Sequence, residues 1–171
     1  MWCFLPEFKV VILGDEAVGK TSLFYRYIHN KFENSYKQTL GTEILLKELS
    51  LNDEKVILQI WDVAGGSYFK RYREKFYNNA TGALLVFDLT RRKTFDHLTQ
   101  WLEEFETTLS KKPKYVLVGN KKDLQEQQTV GLQEINDFAE QMGFKLELTS
   151  AMTGENVESA FSHLAEMMYQ G

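Results

Sequence analysis

The chain has 171 residues, of which 43% are hydrophobic and 26% are charged, so it is long enough for one domain with a substantial core. The net charge of −4 argues against nucleic acid as a main partner, and no apolar stretch has the length of a membrane span. Cys3 is the only cysteine, which excludes a disulfide within the chain and fits a reducing cytoplasm. We therefore expect a cytoplasmic protein in which residues 1–171 form a single domain.

The first strong motif lies near the N-terminus. Residues 14–21, Gly-Asp-Glu-Ala-Val-Gly-Lys-Thr, fit the pattern G-x-x-x-x-G-K-[ST]. The apolar run 8–13 predicts a buried strand before the motif, and residues 22–28 predict a helix after it. In such a loop, backbone N–H groups and Lys20 surround the negative charges of a phosphate chain, while the Thr21 hydroxyl ligates Mg²⁺. The motif predicts a site for a nucleoside triphosphate.

The next predicted strand also ends in a polar loop. The alternating run 57–61 leads into Asp62-Val63-Ala64-Gly65. Asp62 is expected to hold Mg²⁺ through water, and Gly65 to bring its N–H to the terminal phosphate. A strand is also expected at 82–87.

The base is indicated by the motif Asn-Lys-Lys-Asp at residues 120–123, which follows the β-branched run 115–119. The Asp123 carboxylate can accept two hydrogen bonds from the N1–H and N2–H₂ groups of guanine, whereas adenine offers no such pair of donors. Asn120 is expected to support the loop, and the stem of Lys121 to lie over the base. Residues 149–151, Thr-Ser-Ala, would offer a backbone N–H to guanine O6. An ATP-using enzyme built on the same phosphate loop is opposed by Asp123.

The order of the predicted elements indicates an α/β fold. Strands are expected near 8–13, 43–50, 55–61, 82–87, 114–118 and 144–148, and helices near 20–29, 94–110, 131–142 and 156–169, with a helical turn region before residue 82. Asn52-Asp53 is typical of a hairpin turn, so one strand pair should be antiparallel. The remaining alternation predicts a doubly wound, mainly parallel six-stranded sheet with one antiparallel strand and about five flanking helices. Its polar loops should converge on one edge, where open α/β sheets bind ligands.

With these motifs, residues from about Glu7 to Tyr169 resemble a small GTPase of the Ras superfamily, most closely the Rab branch. The Rab resemblance depends on Leu40-Gly41 after Thr39, on residues 58–62 and on residues 101–104. It implies the P-loop NTPase fold, binding of GTP or GDP with Mg²⁺, and GTP hydrolysis by a molecular switch. The nucleotide-binding residues that it implies are Glu16, Ala17, Val18, Gly19, Lys20, Thr21, Ser22, Phe32, Tyr36, Thr39, Gly65, Asn120, Lys121, Asp123, Ser150, Ala151 and Met152.

The resemblance also assigns roles. Thr21, Thr39 and Asp62 would hold the metal. Lys20, Thr39, Gly65 and Gly66 occupy the positions at which the family carries out hydrolysis. Phe32 falls where an aromatic ring lies against guanine, and Tyr36 where a tyrosine closes over the phosphates.

The resemblance extends to partners and location. Effectors, an exchange factor and a GTPase-activating protein (GAP) would contact the switch segments, with Trp61, Phe69 and Tyr77 forming a hydrophobic surface. The protein would be a monomer that regulates membrane trafficking or a related process. Rab proteins usually end in prenylated cysteines, and no cysteine lies near Gly171. Membrane association therefore stays open: either a lipidated tail is missing from this sequence, or no lipid is attached there.

Three positions depart from the Rab pattern. Gly66 stands where a glutamine normally orients the attacking water, and losing that contact is worth about 1.5–3 kcal/mol, roughly ten- to a hundredfold in rate. Glu16 stands where these proteins carry glycine or another small residue; its carboxylate would crowd an inserted arginine and repel the γ-phosphate, or would point to solvent and do neither. Met152 replaces a lysine that often follows Ser-Ala. We expect slow GTP hydrolysis; the alternative is a non-catalytic GTP-binding scaffold.

Overall fold

The computed structural model describes residues 5–33 and 38–171. In these residues a six-stranded sheet has the order β2-β3-β1-β4-β5-β6. The strands are β1 (Glu7–Leu13), β2 (Thr42–Leu51), β3 (Glu54–Val63), β4 (Gly82–Asp88), β5 (Lys114–Asn120) and β6 (Lys145–Leu148). Only β2 runs antiparallel to its neighbour within this sheet, and the other four pairings are parallel. The predicted fold class is confirmed.

The antiparallel pair closes through the predicted hairpin. Leu51 pairs with Glu54, so the turn has two residues, Asn52 and Asp53, with φ angles of 50° and 65°. A turn with two positive φ angles matches the twist of the flanking strands, and asparagine and aspartate tolerate that conformation. The hairpin places β2 at one side of the sheet, next to the segment that contains Thr39.

The helices are α1 (Lys20–His29), α2 (Lys70–Tyr77), α3 (Arg92–Asp96), α4 (Leu98–Glu106), α5 (Leu132–Met142) and α6 (Val157–Gln170), with a 3₁₀ turn at Ser67–Phe69 before α2. The single helix predicted over 94–110 is wrong in its bounds, since α3 begins at Arg92 and α4 ends at Glu106. The break falls at His97, whose imidazole Nδ1 lies 2.7 Å from Asp15 Oδ2 of the phosphate loop. The end follows from two threonines: the Thr107 and Thr108 hydroxyls donate to carbonyls of the last helical turn.

Two apolar layers cover the faces of the sheet, and successive residues of β1 alternate between them. Val10 and Ile12 pack toward α1 and α6, whereas Val11 and Leu13 pack toward the layer formed by α2–α5. Since both faces are covered, the carboxyl ends of the parallel strands remain as the edge at which loops can form a site. Among the helices that the structure describes, none combines the length and apolarity that a bilayer span requires.

Candidate functional site

A cleft of about 900 Å³ opens at this edge of the sheet. It gathers residues from loops that are far apart in the sequence. Of the residues predicted to bind nucleotide or to act in hydrolysis, the cleft is lined by Glu16, Ala17, Gly19, Lys20, Thr21, Ser22, Phe32, Thr39, Gly65, Gly66, Asn120, Lys121, Asp123, Ala151 and Met152. Val18, Asp62 and Ser150 lie behind the lining and are fully buried. Tyr36 lies outside the described residues.

The glycines of the phosphate loop are required by close packing. A Cβ on Gly14 would lie 2.1 Å from the carbonyl oxygen of Val86, and one on Gly19 would lie 2.2 Å from Asn120 Nδ2. Both glycines have positive φ angles, 142° and 100°. The loop therefore curls tightly against β4 and against the last residue of β5, as an inward-facing ring of backbone N–H groups requires.

Lys20 occupies the centre of this loop. Its ammonium donates to the carbonyl oxygens of Gly14 and Asp15 at 2.8 and 2.7 Å. Burial lowers the pKa of Lys20 to about 8, although the nearby Asp62 carboxylate opposes the shift. A Cβ on Gly65 would lie only 2.5 Å from Lys20 Nζ, so the loop after β3 also reaches the phosphate loop directly.

Three oxygen donors meet beside Lys20. Thr21 Oγ1 lies 2.7 Å from Thr39 Oγ1 and donates to Asp62 Oδ2 at 2.5 Å. Asp62 is completely buried, which raises its pKa, and its other oxygen, Oδ1, has no hydrogen-bond partner in residues 5–33 and 38–171. A hydroxyl pair beside a buried carboxylate with an unused oxygen suits Mg²⁺, which binds oxygen and is commonly held by few protein ligands together with phosphates. The donor set fits this metal.

Asn120 links three loops at the opposite end of the cleft. Its Nδ2 donates to the Val18 carbonyl at 3.0 Å. Its Oδ1 accepts from the Thr149 hydroxyl at 3.0 Å and from the Ala151 N–H at 3.2 Å. One buried amide therefore fixes the phosphate loop, the end of β5 and the loop after β6 relative to one another.

Asp123 and Lys121 are each held by a neighbour. Asp123 Oδ1 accepts a hydrogen bond from the Ser150 hydroxyl at 2.5 Å. Lys121 adopts a positive φ of 69° and its ammonium lies 2.7 Å from Asp88 Oδ2. Burial would raise the pKa of Asp88, but hydrogen bonds from Lys121 and other neighbours outweigh it and leave that pKa lowered.

Several residues that line the cleft or support its loops were not predicted from the sequence. Arg26 donates to the carbonyl oxygens of Ala151 and Met152 at 2.8 and 2.6 Å, and no spacing in the sequence indicates this contact. Tyr25 donates to Glu43 at 2.6 Å, which raises the tyrosine pKa to about 12, and both residues line the cleft. Of these residues, only Asp88 could have been identified from the sequence, because it is a carboxylate at the end of a strand, as Asp62 is.

The two departures from the Rab pattern in the catalytic region are neighbours. Gly66 has φ −66° and ψ 144°, and a Cβ on it would lie 3.6 Å from Glu16 Oε2 and 3.7 Å from Phe69. Glu16 is exposed to solvent, and its Oε2 lies beside the position of Gly66. Arg91 fixes the backbone of this residue by donating to the Glu16 carbonyl at 2.9 Å.

The predicted aromatic surface needs one correction. Trp61 and Phe69 are half-buried, but Tyr77 is completely buried and donates its hydroxyl to Glu104 at 2.8 Å. Tyr77 lies one helical turn from buried Arg73, so it faces the core, whereas Phe76 packs against Trp61 with ring centroids 6.0 Å apart. The exposed aromatic rings of this region are Tyr68 and Tyr72.

The fold and the cleft define a P-loop nucleotide-binding protein with a guanine-type base loop. Comparison with known proteins supports and narrows this class. Residues 9–170 match the Ras family. Ras-related proteins RABA4a and RABA4b of Arabidopsis thaliana are 42% and 39% identical over 155 and 162 residues, which is 91% and 95% of this chain and 69% and 72% of those proteins. Ras-related protein Rab11A of Lotus japonicus is 40% identical over 162 residues, 95% of this chain and 72% of that protein.

The chain belongs to the Ras family of small GTPases and is of the Rab type. It is accordingly a GTP-binding switch and a GTPase, and its ligands are GTP or GDP and Mg²⁺.

Proposed function

We propose that this protein is a Rab-type switch with slow intrinsic GTP hydrolysis and a correspondingly long-lived GTP-bound state. The observation that carries the proposal is the pairing of Gly66, which has no side chain to orient water, with the Glu16 carboxylate beside it. Both residues line the cleft.

The residues of the cleft divide into three roles. Lys20 exchanges its two carbonyl partners for phosphate oxygens, while N–H groups of residues 16–22 and Gly65 surround the phosphates. Thr21, Thr39 and Asp62 hold Mg²⁺, which neutralises phosphate charge when bound. The base is held by Asn120, Lys121, Asp123, Ser150, Ala151, Met152 and Phe32.

The slow rate follows from a contact to the attacking water that these groups do not supply. Water attacks the γ-phosphorus, the bond from that phosphorus to the β–γ bridging oxygen breaks with its electron pair left on GDP, and a proton of the water passes to an oxygen of the released phosphate. Lys20 and Gly65 stabilise the charge that develops on the phosphate oxygens, but the Gly66 position supplies no amide to orient the water. The missing contact lowers the rate roughly ten- to a hundredfold, and the Glu16 carboxylate adds repulsion toward the γ-phosphate.

Partner proteins would recognise the bound nucleotide through the conformation of the surface beside the cleft. Leu40 is 79% exposed and Tyr68 is 81% exposed, and Tyr72 is exposed on α2, the helix whose Phe76 packs against Trp61. Apolar side chains exposed together are typical of protein-binding surfaces. Effectors, an exchange factor and a GAP are the proposed partners, with traffic between membranes as the process. We assign the switch to the cytoplasm as a monomeric single domain.

Single-turnover hydrolysis tests the proposal. The protein is loaded with GTP and Mg²⁺, and GDP formation is followed for a day beside a Lys20→Met control that loses nucleotide. A half-time of about 5 to 50 hours is the expected result, because it is ten- to a hundredfold longer than the half-time of about half an hour that corresponds to an intrinsic rate of about 4 × 10⁻⁴ s⁻¹. A half-time of about half an hour or less would contradict slow hydrolysis. No conversion with GTP still bound would favour the alternative, a GTP-binding scaffold whose active surface is permanent.

A further inference from the structure

A hydrogen bond joins α1 to the start of β2 within the cleft. Tyr25 of α1 and Glu43 of β2 both line the cleft, and neither belongs to a nucleotide-binding motif. The Tyr25 hydroxyl donates to Glu43 Oε2 at 2.6 Å. This hydrogen bond raises the pKa of Tyr25 to about 12, so the hydroxyl keeps its proton at neutral pH and acts as the donor. A bond from a hydroxyl to a carboxylate is charge-assisted and belongs to the stronger class of hydrogen bonds.

The tyrosine ring is supported along α1. It stacks on the imidazole of His29, with ring centroids 5.9 Å apart, and contacts the edge of Phe24 at 5.4 Å. Phe24 itself is completely buried. Tyr25 follows Thr21 by four positions, so both side chains project from the same face of α1. The hydroxyl that holds Glu43 and the hydroxyl proposed to bind Mg²⁺ therefore lie on one side of one helix.

The start of β2 is also fixed to β3. Glu43 pairs with Asp62 in the register of the two antiparallel strands, and the neighbouring Thr42 hydroxyl donates to the Asp62 carbonyl at 2.9 Å. Glu43 is thus connected to both elements that carry the other proposed metal ligands: to β3, which carries Asp62, and through Tyr25 to α1, which carries Thr21.

Thr39, the third proposed metal ligand, depends on this end of β2 for its position. It lies three residues before β2, outside the helices and strands that the structure describes, and its hydroxyl lies 2.7 Å from Thr21 Oγ1. Gly41, between Thr39 and β2, has a φ of 89°. Because glycine leaves this short connection with wide conformational freedom, an anchor at Glu43 limits the positions that Thr39 can reach.

The location of this hydrogen bond distinguishes it from others of the same chemistry. The Tyr115 hydroxyl donates to Glu106 at 2.9 Å, and the Tyr169 hydroxyl donates to Glu54 at 2.7 Å. Neither of these pairs lines the cleft. A contribution to folding does not require the position beside Thr39, whereas a contribution to nucleotide binding does.

We propose that Tyr25 is a positioning residue for the GTP-bound state: by holding Glu43, it favours the conformation in which Thr39 reaches Mg²⁺ and the γ-phosphate. The γ-phosphate and Mg²⁺ order this segment in GTPases, and hydrolysis releases it, so the hydrogen bond should favour GTP over GDP. Without it, GTP must order a freer segment at a greater entropic cost. The proposal rests on the metal role given to Thr39 under the proposed function and is independent of the rate of hydrolysis.

Nucleotide release from Tyr25→Phe tests the proposal, because this variant loses only the hydroxyl. Wild type and variant are loaded with Mg²⁺ and either a fluorescent GDP or a fluorescent, non-hydrolysable GTP analogue. We expect Tyr25→Phe to release the GTP analogue about three- to tenfold faster and to change GDP release by less than about twofold. Tyr169→Phe, which loses the same kind of bond outside the cleft, is the matched control and should release both nucleotides at the wild-type rates. Unchanged release of the GTP analogue from Tyr25→Phe, or equal acceleration of both nucleotides, would overturn the proposal.

Two further backgrounds test whether the effect passes through Glu43. Glu43→Gln keeps an oxygen that can accept from the Tyr25 hydroxyl, whereas Glu43→Ala removes the acceptor. Tyr25→Phe should still accelerate release of the GTP analogue in the Glu43→Gln background and should have no further effect in the Glu43→Ala background. The same acceleration in both backgrounds would refute the role of this hydrogen bond. Rapid hydrolysis by the wild type would contradict the slow switch yet leave this comparison intact, because the analogue is not hydrolysed.

Discussion

The Glu16 carboxylate and Gly66 share one small volume of the cleft, since Glu16 Oε2 lies 3.6 Å from the point that a Cβ on Gly66 would occupy. The two residues are 50 positions apart in the sequence, yet each change alters the surroundings of the other. A side chain introduced at residue 66 would meet a negative charge, and removing that charge would leave a gap beside a glycine. Their effects on hydrolysis should therefore not be independent.

Gly66→Gln should accelerate single-turnover GTP hydrolysis roughly tenfold, and at most about a hundredfold, by supplying an amide that orients water. The backbone allows the change, because φ −66° and ψ 144° are ordinary angles for any residue and no atom lies closer than 3.6 Å to the new Cβ. Gly66→Ala is the control, since it adds the Cβ without the amide. Equal rates for wild type, Gly66→Ala and Gly66→Gln would remove the explanation of slow hydrolysis.

A double-mutant cycle measures the coupling between residues 16 and 66. The introduced amide can donate to the Glu16 carboxylate, which would hold it away from the water. The acceleration by Gly66→Gln should therefore be larger in a Glu16→Ser background, with a coupling of about 0.5–3 kcal/mol. Rates are measured for the two single variants, the double variant and the wild type at saturating Mg²⁺. Strict additivity would show that the carboxylate does not engage the introduced side chain.

Local patterns were sufficient to predict the elements of this fold. The hairpin at Asn52-Asp53 and the strands follow from turn chemistry and from apolar runs, which act over a few residues. The single helix predicted over 94–110 missed the break at His97, where the imidazole contacts Asp15 far away in the sequence, and the end of α4 before Thr107 and Thr108. Helical periodicity carries no information about that contact.

The residues of the site also separate into those that sequence patterns indicate and those that only tertiary contacts reveal. The motifs and the family resemblance together indicated most of the residues that line the cleft, because loops at the ends of parallel strands meet at one edge, but they did not indicate Tyr25 or Glu43. Periodicity could also have corrected Tyr77, which shares the buried face of α2 with Arg73. The Arg73–Glu104 and Arg26–Ala151 contacts span 31 and 125 positions and have no sequence signature.

Asp123→Asn should change the base preference from guanine to xanthine. The wild-type carboxylate accepts two hydrogen bonds from guanine, whereas an amide can donate to the C2 oxygen of xanthine. We expect the ratio of GDP to XDP affinity to fall at least about a hundredfold in a competition assay. Ser150→Ala removes the hydroxyl that donates to Asp123 and should weaken both nucleotides without changing their order. An unaltered preference in Asp123→Asn would refute the assignment of this residue.

Arg26→Met should accelerate GDP dissociation by about tenfold. Arg26 holds the carbonyl oxygens of Ala151 and Met152, so its loss frees the loop that offers an N–H to guanine O6. Release of a fluorescent GDP analogue measures the rate. Arg92→Met removes an equally large side chain whose partners, Asp96 and Glu134, do not line the cleft, and should leave dissociation unchanged. If both variants release nucleotide at the wild-type rate, the loop does not depend on Arg26.

Nucleotide binding should become coupled to proton uptake above pH 8. Without nucleotide, burial holds the pKa of Lys20 at about 8, so most Lys20 side chains carry the neutral amine at pH 8.5. Phosphates placed beside Nζ favour the charged form, so binding at pH 8.5 should take up roughly half a proton or more, and affinity should fall as pH rises through this range. At pH 7 the lysine is already charged and the uptake should be near zero. Calorimetry in buffers of different ionisation enthalpy measures the proton number, with Lys20→Arg as the control, because arginine stays charged throughout and should abolish the uptake. Uptake that persists in Lys20→Arg would assign the proton to another group.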